Sequence, residues 1–330
     1  MRPWILAEAN YAQVKAHAYE VAVLPMGATE PHNLHLPYGT DTLEAEAIAS
    51  RACAAAWERG ARVVMLPAIP YGTETNQNRC RLSMNVNPTT LGLVIRDLVD
   101  SLAGHGIRKL VILNSHGGNE FKPLLRELHG RTEVQLFLCD WFRGLTADVK
   151  GGMFEQADDH AGEMETSLAL AYFGHLVALN ADGTLAADDG LTAQTRFPQV
   201  DRGWISITRP WHLLTTNTGA GNPHAATAEK GGGFCCRGSL GNPIDALLFV
   251  FLPSFTSPRV LRSRSALSLS ARHPPQVTRI SLSLSISRRP ISRKLRRILH
   301  IIGGVLRSLS LAPLSLSIGA PSAARCGSLR

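Results

Sequence analysis

Four short apolar runs, at residues 21–26, 62–69, 108–114 and 134–139, constrain this chain more than any other feature. Each has the length and the Val, Ile and Leu content of a strand buried on both faces. Between them lie stretches that read as helices. Residues 42–59 are rich in Ala and Glu and close at Gly60, residues 88–104 open on an Asn87 cap with Pro88 behind it, and residues 120–129 follow. Strands alternating with helices predict an α/β fold, with a mainly parallel sheet flanked by helices on both faces. Ligands of such sheets collect at the carboxyl ends of the strands. The polar, irregular stretch 70–88 is long for a connection inside an α/β unit, and loops of that kind are commonly functional.

Chemistry-bearing residues fall where the sheet would present them. The first run ends at Gly27, and Glu30 and His32 follow in a segment where alternate residues share one side. The turn at Pro37–Gly39 can return Asp41 to the same point. His116 follows the third run directly. Farther on, His160, Glu163 and Glu165 lie within six residues where another helix opens, running to about Tyr172. Acidic residues there also suit a helix dipole, and Asp41 also suits a helix cap, but neither reading explains His160 before Gly162. Together these oxygen and nitrogen donors suffice for two adjacent divalent ions, with Asp41 bridging and Glu163 or Glu165 completing the set. Two such ions, about 3.5–4 Å apart, would lower the pKa of a shared water and polarise a carbonyl. His160 is placed to move a proton to a leaving nitrogen. That combination describes hydrolysis of an amide carbon–nitrogen bond. No G-x-S-x-G elbow, phosphate-binding Walker loop or H-E-x-x-H helix is present.

Composition breaks in two. Residues 1–230 hold 19 Lys and Arg against 25 Asp and Glu, a net of −6, whereas residues 231–330 hold 15 against one, a net of +14. The overall +8 belongs to the Ser-, Leu- and Arg-rich second part, so the whole chain is not read as a nucleic-acid binder. The expected organisation is a catalytic domain at 1–230 and a basic tail at 231–330, the tail being a frame-shifted or disordered replacement of the native end. The six cysteines show neither C-x-x-C spacing nor the density of a disulfide framework. The first residues do not resemble a signal peptide, and the longest apolar run, 246–252, is too short to span a bilayer. A cytoplasmic setting, with neither nucleic acid nor membrane as a partner, is the expectation.

Three motifs in order, Gly27-Ala28-Thr29-Glu30-Pro31-His32 with Gly39-Thr40-Asp41, Asn114-Ser115-His116-Gly117-Gly118-Asn119, and His160-Ala161-Gly162-Glu163-Met164-Glu165, resemble the signatures of the creatininase (creatinine amidohydrolase) family over about residues 20–230. The resemblance implies a creatininase-like three-layer fold and a homohexamer. It also implies a binuclear centre of zinc, manganese or iron, zinc foremost, acting on a small amide substrate. By it, Glu30, His32, Asp41 and His116 would be metal ligands and His160 the acid/base residue. True creatininases carry a tyrosine and a metal-binding glutamate where this chain has Gly117 and Gly118. Glu163 is therefore expected to supply the missing ligand, with Glu165 beside His160 as a catalytic carboxylate. The departure puts creatinine itself aside and leaves the expectation of a hydrolase acting on a carbon–nitrogen bond other than a peptide bond, in a small cyclic amide or formamide, although relatives with the His-Gly-Gly-Asn form include enzymes for peptide-like bonds. The alternatives are a non-catalytic metal-binding or assembly protein, and a basic-tail binder of nucleic acid or membrane surface.

Overall fold

In the computed structural model the chain divides into two units, Met1–Val260 and Leu261–Arg330. The structure describes residues 2–143, 153–156, 158–236 and 251, all in the first unit, so most of the expected 231–330 tail lies outside the described residues.

Four parallel strands form the main sheet in the order β2-β1-β3-β4, with β1 at Val21–Met26, β2 at Val63–Met65, β3 at Lys109–Asn114 and β4 at Gln135–Asp140. β1 pairs with β3 along its full length, Val21 opposite Lys109 and Met26 opposite Asn114. Side chains alternate across this sheet. Val21, Val23, Val111 and Leu113 enter one core, while Ala22, Leu24, Leu110 and Ile112 enter the other. Strands buried on both faces explain why the runs are apolar throughout rather than alternating.

Helices complete both layers. After a short α1 (Tyr11–Lys15), α2 (Thr40–Glu58) lays Ile48, Ala52 and Ala56 on the first face, joined by Leu168 of α5 (Glu163–Phe173). On the second face, α3 (Pro88–Gly104) contributes Leu91, Ile95, Val99 and Leu102, a helical stripe, and α4 (Lys122–Leu128) contributes Leu124. The expected mainly parallel α/β sheet is thus present, as three layers. A small antiparallel pair, β5 (Asp158–His160) with β6 (Ala220–Gly221), sits beside it.

A further helix, α6 (Ala228–Cys236), runs through the expected domain boundary at 230 without interruption. It packs on α5 so closely that a Cβ on Gly231 would lie 2.0 Å from the Ser167 carbonyl oxygen. Phe234 is buried against Trp141 and Phe154. None of the helices among the described residues is long and apolar enough to cross a membrane.

Candidate metal centre

The loop after β1 and the turn after β3 meet at the carboxyl end of the sheet. From these neighbouring strands the chain departs to opposite faces, α2 on one and α4 on the other, and such a switch point opens a crevice. The β1–α2 loop folds back on itself, Glu30 N–H donating to the Tyr38 carbonyl (3.1 Å) and the Thr40 hydroxyl to the Pro37 carbonyl (2.7 Å). This brings Asp41, in the first turn of α2, beside Glu30 and His32, and all three are buried.

Each imidazole is fixed by a backbone carbonyl. His32 Nδ1 lies 3.1 Å from the Glu30 carbonyl and His116 Nε2 lies 3.1 Å from the Thr73 carbonyl. A carbonyl only accepts, so those nitrogens carry the hydrogens. The opposite nitrogens face carboxylates: His32 Nε2 is 3.0 Å from Asp41 Oδ1, and His116 Nδ1 is 3.0 Å from Asp41 Oδ2 and 2.9 Å from Glu30 Oε1. In the neutral rings this sets lone pair against lone pair, an arrangement that calls for a cation between them. Burial alone would lower the His32 pKa, but Asp41, Glu165 and Glu30 override it and raise it to about 10. His116 is likewise buried, yet raised well above its usual value by Glu30 and Asp41. Burial disfavours the Asp41 carboxylate, and the two imidazoles more than reverse this, holding its pKa low.

Three donor sets gather within 4.8 Å: Glu30 with Asp41 and His116, His32 with Asp41 and Glu165, and Glu30 with His32 and His160. The first two share Asp41 through different oxygens. His160 stacks on His32 with ring centroids 4.1 Å apart, and its Nε2–H donates to the Pro31 carbonyl (3.0 Å). Burial and the neighbouring His32 lower its pKa, so the ring is neutral and Nδ1, 3.8 Å from Glu30 Oε1, keeps its lone pair. The edge of Trp211 closes on the ring at 4.8 Å.

Glu163 is the exception. Its Oε2 accepts from the backbone N–H groups of Glu155 and Gln156 (2.7 Å each), and its Oε1 from Lys230 Nζ (2.6 Å). Both oxygens of that carboxylate are engaged, and it stands in none of the three donor sets. Glu165, expected as a catalytic carboxylate, stands in the donor set instead, 4.0 Å from His32 Nε2 and oriented by the Ala161 N–H at 2.5 Å. The two lie two residues apart at the start of α5 and so point to different sides of the helix, Glu163 to the Glu155 and Gln156 N–H groups and Lys230, Glu165 toward His32.

Three residues here were not anticipated from sequence. Gln77 Nε2 donates to Glu30 Oε2, the oxygen turned away from His116. Glu74 accepts from the Thr29 N–H (3.3 Å) and the Ser83 hydroxyl (2.6 Å), and burial and nearby Glu30 push its pKa up to about 7. Both belong to the stretch 70–88 flagged for its length, while Trp211 carried no signal. Gly118 explains the absent glutamate. A Cβ there would lie 2.3 Å from the Thr73 carbonyl oxygen and 2.5 Å from His116 Nε2.

A sequence model described as creatinine amidohydrolase matches residues 7–237. The chain belongs to the creatininase family. Among its relatives, the mycofactocin precursor peptide peptidase of Mycobacterium tuberculosis is 28% identical over 215 residues, covering 63% of this chain and 77% of that protein. Creatinine amidohydrolase of Pseudomonas putida is 28% identical over 179 residues, or 48% and 67% of the two chains. The crystal structure of a Bacteroides fragilis NCTC 9343 protein described as a creatinine amidohydrolase superposes with a TM-score of 0.68 at 34% identity, covering 76% of this chain and 96% of that one. A crystal structure of creatininase superposes at 0.59 with 21% identity, which speaks for the fold.

Proposed function

We propose that this creatininase-family chain is a binuclear metal-dependent amidohydrolase that cleaves the carbon–nitrogen bond of an amide. The observation that carries the reading is Asp41, whose two oxygens each face a different imidazole nitrogen, each imidazole being tied by its far nitrogen to a backbone carbonyl. That is how histidine ligands are oriented at metal sites. Glu30, Asp41 and His116 would hold one ion, and His32, Asp41 and Glu165 the other. Similar folds include a creatininase of Zn-Zn type and a manganese form, which supports divalent ions here. When bound, such a pair supplies an activated water and polarises the amide carbonyl.

The remaining work falls to side chains. Gln77 holds Glu30 by one oxygen, so that the other points inward. His160, neutral with Nδ1 free, takes a proton from the attacking water and returns it to the leaving nitrogen. Trp211 shields that ring. Family relatives include both a creatinine amidohydrolase and a peptide peptidase, so small cyclic amides, formamides and peptide-like bonds are the substrates to try.

Elemental analysis of the purified protein, with His32→Ala beside it, tests the reading. About two divalent ions per chain are expected, falling in the variant, together with hydrolysis in a screen of those three classes. A folded protein without bound metal would overturn it.

A further inference from the structure

We propose that a cleft beside the metal centre, lined in part by Arg79, binds the carboxylate of an extended, peptide-like amide. Calling this occupant a substrate rests on the amidohydrolase reading above. The cleft holds about 320 Å³ and lies between two short segments, with Asn76, Asn78 and Arg79 on one side and Thr208, His212 and Leu213 on the other. Its volume falls within the range of roughly 300–1,000 Å³ typical of small-ligand sites.

Position supports the assignment first. The turn Thr75–Gln77 that forms one wall is the same turn from which Gln77 reaches Glu30. The single-turn helix Trp211–Leu214 that forms the other is the one from which Trp211 reaches His160. Each wall therefore neighbours a residue that touches the centre, Gln77 on one side and Trp211 on the other. A small cyclic amide would fill the centre alone, whereas a longer molecule would extend between the walls.

Charge supports it second. None of the lining residues is acidic, and Arg79 makes no ion pair among the described residues. A guanidinium so placed matches a carboxylate with paired N–H donors, and Asn76, Asn78 and His212 surround it with further polar groups. The centre itself is rich in carboxylates, Glu30, Asp41, Glu74 and Glu165, inside a region whose net charge is −6. Arg79 supplies a cationic partner for a carboxylate among the residues lining the cleft.

The test is equilibrium binding to the full-length protein as purified, by microscale thermophoresis, using Ala-Ala-Ala with a free terminal carboxylate and the same peptide as its terminal amide. Mass spectrometry checks that both probes stay intact. The free acid is expected to bind about tenfold tighter, the size of one charge-assisted contact. That preference is expected to vanish in Arg79→Gln and in Asn78→Asp, both at exposed positions where folding is undisturbed. Equal binding of the two peptides by the unmodified protein, or a preference that survives Arg79→Gln, as it would if the centre rather than the cleft held the carboxylate, overturns the proposal. Because the preference is read without turnover, a metal-loaded protein that cleaves nothing can still show it, and a working hydrolase can still fail it.

Discussion

At the scale of single residues, Glu163 and Glu165 offer the sharpest contrast. Both are buried at the start of α5, but one carboxylate is consumed by two backbone N–H groups and Lys230 while the other faces His32. Glu165→Gln is expected to reduce bound metal from about two ions to about one per chain with the melting temperature of the metal-free protein little changed. Glu163→Ala is expected to keep its metal but to lose about 3 kcal/mol of stability, since it strands buried donors and a lysine. Metal analysis and denaturant melts of the two variants separate these outcomes. His160→Ala should leave metal content intact and lower kcat by about 10²–10⁴, the usual worth of a placed acid/base group. The imidazoles add a pH signature in the metal-free protein. His32 is raised in the fold to about 10, so its contribution is fully present below its unfolded value near 6.5 and is lost as pH rises toward 10. Metal-stripped protein should melt progressively earlier from pH 7 to pH 9, and metal-loaded protein, whose cations replace those protons, should not. Sequence spacing was enough to bring Glu30, His32, Asp41, His116 and His160 to one place, because each sits one turn or loop beyond a strand or at a helix start. It could not tell Glu163 from Glu165, since the groups that occupy Glu163, two backbone N–H groups of the preceding loop and a lysine 67 residues on, meet it only in the folded chain.

At the scale of elements, the apolar runs marked all four strands, but β2 is shorter than its run. Pro67 carries no N–H for a ladder, so the strand stops at Met65 and the chain returns to β1 only by the single bridge from Ile69 to Met26. The long polar stretch after it proved informative only as a length. Its Thr73 N–H donates to Asn119 and its Gln77 amide to Glu30, while its Glu74 accepts from the Thr29 N–H; these bonds dock it over the centre, and no local pattern encodes such distant partners. The Gly117–Gly118 turn is what lets it approach. Gly118→Ala would force apart the Thr73 carbonyl and the His116 ring, and a loss of about 10–100-fold in affinity for one of the two ions is expected by metal titration. Gly118→Glu, which restores the side chain seen in true creatininases, should do the same or worse. A gain of metal affinity in that variant would show that the loop yields readily and that Thr73 does not fix His116.

At the scale of the whole molecule, the change in composition and the edge of the fold do not coincide. Acidic residues all but cease after residue 230, yet α6 continues to Cys236 and the family match to residue 237. Composition reports a running average, whereas a helix boundary is set by which side chains reach the core, and Phe234 reaches it. We therefore propose that the folded domain extends past residue 230, since Phe234 and also Phe251 are buried in its core. Phe234 provides the test. It is 1% exposed and packs on Trp141 and Phe154, in the same core as Leu168 of α5 and Ile48 of α2. Truncating a phenyl ring in such a site costs about 3–5 kcal/mol through lost burial and the cavity left behind. If α6 is an integral layer, Phe234→Ala should lower stability by that amount in chemical denaturation. Because α5 carries Glu165 and is preceded directly by His160, the variant should also release metal more readily. If residues beyond 230 were an unrelated appendage, the same substitution would change stability by less than about 0.5 kcal/mol, as surface substitutions do, and metal retention would match that of the unmodified protein.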